Sequence, residues 1–276
     1  MDDHLGGTTH LNTRINHTAM PPSNKTIALV TGANKGLGRA IAAQLAKEHG
    51  YHVILGCRNP LAAEDLASEL ASAGHSAETL QLDLDSDESI EAAAAAISAR
   101  HGRLDVLVNN AGIQLEEPAP GKQRPSTREV FSRTMGTNVV GTACLTEALL
   151  PLLRASASAS VPSSPGPPRI VFVSSHLGSC TIGTDPSSMF YHADLQAYMA
   201  SKAAVNRMAL VYARMLSDIG GRVNLAAPGF VKTELTNFNP NGVTVEEGAR
   251  RIVELATVGK DGPSFTFSDV NGPLPW

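Results

Sequence analysis

Cysteine is scarce in this chain: 276 residues contain only Cys57, Cys144 and Cys180, with no C-x-x-C pair. An odd, widely spaced set argues against a disulfide framework and a structural zinc site, and favours a reducing, cytoplasmic setting. Charge of one sign is also lacking. Lys plus Arg number 22 against 26 Asp plus Glu, a net charge of −4, which gives no electrostatic reason to expect nucleic acid or an anionic membrane surface as partner. No uninterrupted apolar run approaches the roughly 18 residues that span a bilayer. No repeat recurs at periods of about 20 to 50 residues, and no G-x-S-x-G elbow marks a hydrolase nucleophile. What remains is 42% apolar and 17% charged, the balance of one globular domain with a sizeable core.

Residues 1–24 contain no apolar stretch long enough for a signal-peptide core and only one basic residue, Arg14, so they read as a disordered leader before a domain at 25–276. From Thr26 onward, short β-branched runs alternate with longer Ala- and Leu-rich amphipathic stretches. Strands are expected near 26–31, 52–56, 77–82, 104–108, 169–174, 222–227 and 264–267. Helices are expected near 36–48, 60–73, 86–101, 126–153, 194–218 and 244–256. Strands joined by crossover helices predict an α/β fold, a doubly wound Rossmann arrangement with a seven-stranded parallel sheet covered on both faces. The low-complexity run ASASASVPSSPGPP, from Ala155 to Pro168, reads as a surface loop.

The first strand runs into Thr31-Gly32-Ala33-Asn34-Lys35-Gly36-Leu37-Gly38 and then straight into a helical pattern. Glycines there allow a tight turn and let a pyrophosphate approach the helix N-terminus, where free N–H groups and the dipole favour an anion. The spacing G-x-x-x-G-x-G, with Thr in front, resembles the short-chain dehydrogenase/reductase family, whose members bind a nicotinamide dinucleotide with it. Further resemblances follow in family order: Asp83-Leu84 after the third strand, Asn109-Asn110-Ala111-Gly112 after the fourth, Thr137-Asn138-Val139-Val140-Gly141, Ser174-Ser175-His176-Leu177-Gly178 after the fifth, Tyr198-x-x-x-Lys202, and Pro228-Gly229-Phe230-Val231-Lys232-Thr233 after the sixth.

The resemblance implies a cofactor site made of Gly32, Asn34, Lys35, Gly36, Leu37, Gly38, Asp83, Leu84, Asn110, Ala111, Gly112, Tyr198, Lys202, Pro228, Gly229, Val231 and Thr233. Where an NAD enzyme would offer the ribose a carboxylate, this chain has Arg58. A guanidinium attracts a 2′-phosphate, and Lys35 adds a second cation, so NADPH or NADP is the expected cofactor. Asp83 could instead be an acidic N-cap for the following helix.

Tyr198 and Lys202 stand at i and i+4 on one helix face. A neighbouring ammonium favours the phenolate, so Lys202 is expected to lower the Tyr198 pKa towards the working range of a general acid/base. The resemblance implies a catalytic tetrad of Asn138, Ser175, Tyr198 and Lys202, with Ser174 the alternative serine. In that scheme Tyr198 donates the proton, Ser175 holds the substrate oxygen, and Asn138 anchors a relay water. Candidate substrate contacts are Gln114, Leu115, His176, Phe230 and Phe238, with Met189, Phe190 and Tyr191 on the loop between Ser175 and Tyr198. His176 lacks a partner at metal-binding spacing, and no metal is expected.

The motifs ANKGLGRAIA and GCRN and the C-terminal Trp276 are most similar to the carbonyl-reductase-like branch. It implies reduction of an aldehyde, ketone or quinone, with oxidation of a secondary alcohol and dinucleotide binding without turnover as rival readings. A homodimer, a homotetramer and a monomer all occur within the family's known range.

Overall fold

The computed structural model describes residues 24–117, 121, 123–157 and 166–276. The expected leader, apart from Asn24, and most of the low-complexity run after Ala155 lie outside the described residues.

The expected apolar runs form β1 (Ile27–Thr31), β2 (His52–Cys57), β3 (Ser76–Gln81), β4 (Val106–Asn109), β5 (Arg169–Val173), β6 (Arg222–Ala226) and β7 (Thr266–Asp269). They lie in the order β3-β2-β1-β4-β5-β6-β7, and every pairing among them is parallel. An eighth strand, β8 (Gly272–Pro273), adds antiparallel to β7, so the expected seven-stranded sheet has eight strands. Two residues, one of them Pro, offer no alternation from which a strand could be read.

All five residues of β1 and of β5 are buried, as both faces of a covered parallel sheet require. On one face lie α1 (Gly36–His49), α2 (Glu64–Ser72) and α8 (Val245–Ala256), which insert Ile41, Leu45, Leu66, Leu70 and Ile252 against Val30, Leu55 and Val171. On the other lie α3 (Asp87–His101), α5 (Thr142–Ser156) and α7 (Gln196–Met215), whose Ile97, Leu145, Leu149, Val205 and Tyr212 pack on Leu29, Leu107 and Phe172. Two further helices, α4 (Thr127–Met135) and the single turn α6 (Cys180–Gly183), complete the set among the described residues.

The helix expected over 126–153 is continuous from Thr127 to Ser156 but not regular: a π-helical turn at Gly136–Gly141 joins α4 to α5. Its glycine is required by close approach, because a Cβ on Gly141 would stand 2.1 Å from the Leu84 carbonyl oxygen. Such turns cluster at functional sites, and this one carries Asn138. This combined helix is long and apolar enough by composition to cross a membrane, which the run-by-run reading did not register; half of the apolar window is buried inside the fold.

Chain order reverses between β1 and β4, leaving a crevice at the C-terminal ends of the strands. That switch point is where open α/β sheets bind ligands.

Candidate active site

A cleft of about 680 Å³ opens at that reversal, lined by the turn after β1, the ends of β2, β4 and β5, one face of α7 and the segment from Pro228 to Phe238. The turn after β1 is held by the loop after β4: Thr31 Oγ1 accepts from the Asn110 and Ala111 amides at 3.0 and 2.9 Å, and Asn110 Nδ2 donates to Thr31 O at 2.8 Å. Gly38 lets α1 approach this stitch, since a Cβ there would lie 2.3 Å from Gly32 O. Lys35, the N-cap of α1, supplies no side-chain acceptor, and the first turn carries no acidic residue. The first N–H groups of α1 are therefore unsatisfied by side chains and bordered by positive potential, which fits a diphosphate.

Gly32, Asn34, Lys35, Gly36, Leu37, Gly38, Arg58, Asp83, Leu84, Asn110, Ala111, Gly112, Tyr198, Lys202, Pro228, Gly229, Val231 and Thr233 all line the cleft, so every cofactor contact expected from sequence is brought together. Asp83 is not the N-cap of α3; Ser86 takes that role, accepting from Ser89 N, and Asp83 Oδ1 accepts only the local Asp85 amide at 3.1 Å. Lys35 departs from expectation. Its ammonium pairs with the Glu234 carboxylate across the cleft mouth, an exposed pair of the kind that contributes little and opens readily.

At the far end, Tyr198 and Lys202 descend from α7 into the cleft. Ser175 hydrogen-bonds the phenol, whereas Ser174 turns away and donates to Asn206 Oδ1. Ser175 is therefore the serine that faces the reaction space. Lys202 Nζ lies 5.5 Å from the Tyr198 ring centroid and donates to Val173 O at 2.8 Å. Burial pushes the Tyr198 phenol up to about 12, against the Ser175 hydrogen bond and with help from the Glu116 carboxylate. Burial also pulls the Lys202 ammonium down to about 8. The expectation that Lys202 would lower the phenol's pKa is thus corrected: burial dominates and raises it, with Ser175 the group that opposes the rise.

Asn138 does not line the cleft. Its Nδ2 donates to Ile113 O and Ser201 Oγ at 2.9 and 3.0 Å, and its Oδ1 accepts from Ile113 N at 2.8 Å. It clamps the loop after β4 to α7, which makes it a positioning residue; only the second lone pair of Oδ1 remains to hold a water.

The substrate contacts divide. Gln114, Leu115, Phe230 and Phe238 line the cleft, and Gln114 Nε2 is buried without a hydrogen-bond partner. His176, Met189, Phe190 and Tyr191 do not line it. His176 instead bonds Asp269 Oδ2 at 3.0 Å and stacks on Phe190, while Met189 is 84% exposed. The His176–Asp269 contact and the turns at 185–193 fold that loop outward, a tertiary outcome that loop length alone does not reveal. Leu177 and Leu195 border the cleft in its place.

Sequence reading also missed Glu116. Leu195, the N-cap of α7, offers no side-chain acceptor, and Glu116 supplies it from the loop after β4: Oε1 accepts from the Ala197 and Tyr198 amides at 2.7 and 3.0 Å. A buried carboxylate at a helix N-terminus is favoured by the dipole, but nothing in the local pattern QLEEP pairs it with a helix some 80 residues on.

Comparison with known proteins agrees with this geometry. The short chain dehydrogenase family profile matches residues 26–242. Short-chain dehydrogenase anuI of Penicillium roqueforti is 42% identical over 251 residues, covering 89% of this chain and 94% of that protein. The structure of NADPH bound carbonyl reductase from chicken fatty liver is similar with a TM-score of 0.75 and 26% identity, over 91% of this chain and 99% of that one. That of salutaridine reductase from Papaver somniferum gives a TM-score of 0.69 and 28% identity, over 88% and 99% respectively. With the glycine turn, the stitched loops and the Ser175, Tyr198 and Lys202 cluster in one cleft, this chain belongs to the short-chain dehydrogenase/reductase family of oxidoreductases.

Proposed function

We propose that the protein is an NADPH-dependent reductase that converts the carbonyl of a bulky, largely apolar aldehyde, ketone or quinone to an alcohol. The observation that carries the reading is the convergence of Ser175, Tyr198 and Lys202 with the glycine turn in one cleft; burial raises the Tyr198 phenol, which is protonated at rest, the form that donates to a carbonyl oxygen. The chemistry a nicotinamide dinucleotide supplies when bound is hydride donation to the carbonyl carbon. Ser175 holds the substrate oxygen against the phenol, Tyr198 gives that oxygen its proton, and the Lys202 ammonium stabilises the phenolate left behind. The tyrosine then regains a proton from water.

Arg58, directly after β2, lines the cleft, and β2 itself ends in Gly56-Cys57 with no carboxylate, which supports the 2′-phosphorylated cofactor. The NADPH named for the chicken carbonyl reductase points the same way. Phe230, Leu235 and Phe238 form an exposed apolar rim, suited to an apolar substrate body, while the unpartnered Gln114 amide offers one hydrogen bond to a polar substituent. Three free cysteines support a reducing, cytoplasmic setting.

NADPH consumption across a panel of aldehydes, ketones and quinones, with NADH and Tyr198→Phe as controls, tests the reading. Turnover preferring NADPH by at least about tenfold is expected, as a charge-assisted phosphate contact implies. Equal use of NADH would remove Arg58 from recognition. Turnover only with secondary alcohols and NADP would reverse the direction, and tight cofactor binding with no turnover would leave a regulatory dinucleotide-binding protein.

A further inference from the structure

Opposite the cleft, at the N-terminal ends of the strands, three side chains from three elements converge. His52 opens β2, Glu78 lies on the edge strand β3, and His101 closes α3. One ring nitrogen of His52, one of His101 and a Glu78 carboxylate oxygen all lie within 4.8 Å of one another. Glu78 Oε1 is shared: it stands 2.7 Å from His101 Nε2 and 3.5 Å from His52 Nε2. Ligand atoms around a tetrahedral zinc ion stand about 3.3 Å apart, a spacing these two separations bracket.

The second observation concerns His52 itself. Its Nε2 is buried and has no aligned hydrogen-bond partner, although it faces a carboxylate oxygen. On the other side of the ring, Nδ1 is 2.7 Å from Ser76 Oγ, which can accept from it. That is the arrangement of a metal-ligating histidine, in which an outer partner holds one ring nitrogen and leaves the other's lone pair aimed at the ion. Glu78 is likewise oriented from outside, its Oε2 accepting from Arg100 Nη1 at 3.0 Å. Two imidazoles and a carboxylate suit a borderline ion, and magnesium and calcium would prefer an all-oxygen set.

We propose that His52, Glu78 and His101 bind a divalent first-row ion of the zinc class, with water in the fourth position, and so clasp the edge strand β3 and its neighbour β2 to the end of α3. The site is remote from the cleft, and its place on the fold assigns it to holding the sheet edge rather than to the reaction. The sequence reading expected no metal because the ligands come from separate elements and share no local spacing.

The test uses the full chain freed of metal with a chelator and titrated with Co2+ and then Zn2+. Expected are one Co2+ per chain with the intense visible absorption of a four-coordinate ion, displacement of that signal by Zn2+, and a Zn2+-dependent rise in Tm. His101→Asn and Glu78→Gln are expected to weaken Zn2+ binding at least about 100-fold, and Ser76→Ala, which keeps all three ligands, about 10- to 100-fold. Undiminished binding in all three variants would place the ion elsewhere, for instance on other histidines, and would overturn the proposal. So would a pale, six-coordinate Co2+ spectrum or no binding to the unaltered chain, results that do not depend on any variant folding.

Discussion

At the N-terminal ends of the strands, Arg103 and Asp105 are almost wholly buried and partnered: Arg103 Nε bonds Asp105 Oδ1 at 3.1 Å, and Asp105 Oδ2 accepts the Ile27 amide at 2.7 Å. At the C-terminal ends, Tyr198 and Lys202 are nearly as buried, yet no ion pair reaches either among the described residues, and Lys202 Nζ has a single carbonyl at 2.8 Å. Burial with a counter-charge serves the fold, whereas burial without one leaves a group whose bonding is incomplete. The first end is built to hold the sheet together, the second to act on something that enters. Substitutions at the two ends should therefore separate stability from turnover.

The largest expected effect lies at the reactive end. Tyr198→Phe removes the proton donor and nothing from the packing, so turnover falls about 100- to 10,000-fold, the usual worth of a general acid. Stability to urea should change by less than about 1 kcal/mol, and NADPH binding should persist. Near-normal turnover would take the phenol out of the mechanism and erase the distinction between the two ends.

The converse test is Asp105→Ala. It removes the carboxylate from beside the buried Arg103 guanidinium, which keeps its bond to the Lys25 carbonyl, and leaves the Ile27 amide without its acceptor, a loss of about 3 to 5 kcal/mol in unfolding free energy. Turnover per folded molecule is expected to hold at temperatures where the variant stays native. A loss of turnover with little loss of stability would mean that the buried pair shapes the cleft and is not merely structural.

Lys202 gives a pH signature of the incomplete end. Its folded-state pKa of about 8 lies below the ordinary 10.5, so the folded protein releases this proton first. Between those values the unfolded chain binds the extra proton, and stability rises with pH; the gain is complete above 10.5 and absent below 8. From pH 8 to 10 the rise is about 2 kcal/mol at 1.36 kcal/mol per unit. Urea unfolding of the ligand-free protein and of Lys202→Met isolates it, because the variant should lack that increment. Parallel curves for the two proteins would show that the ammonium is already satisfied.

Much of the reactive end was legible because its chemistry is written in short local motifs. The glycine turn and Tyr198-x-x-x-Lys202 each lie within one turn or one helix face, so spacing alone places the side chains. The sequence favoured Ser175 with Ser174 as the alternative, since neighbouring residues at a strand end point opposite ways, and the Asn206 contact shows that Ser174 turns away from the cleft. The π-turn around Asn138 was illegible because a single wide turn leaves the apolar rhythm of the long helix nearly intact. The loop bearing Met189 to Tyr191 misled for a different reason: its length suggested a cleft wall, but the His176–Asp269 contact folds it outward. At the N-terminal ends, the His52, Glu78 and His101 cluster is assembled wholly by tertiary contacts.

The smallest effect probes how the two kinds of burial meet at Glu116, a buried carboxylate that is fully used in capping α7 and also raises the Tyr198 phenol. Glu116→Gln keeps an amide oxygen for the Ala197 and Tyr198 N–H groups but removes the charge. Without that charge the phenol ionises more easily, so the alkaline fall of turnover, where the protonated donor is lost, should move to lower pH by less than about one unit. Glu116→Ala removes the cap as well and should also cost about 1 kcal/mol of stability. A purely structural carboxylate would give the Ala loss while the Gln variant kept the original pH profile. A shifted alkaline limb in the Gln variant, at unchanged stability, would show that the same buried charge both seats the helix and sets the acidity of the group the helix carries.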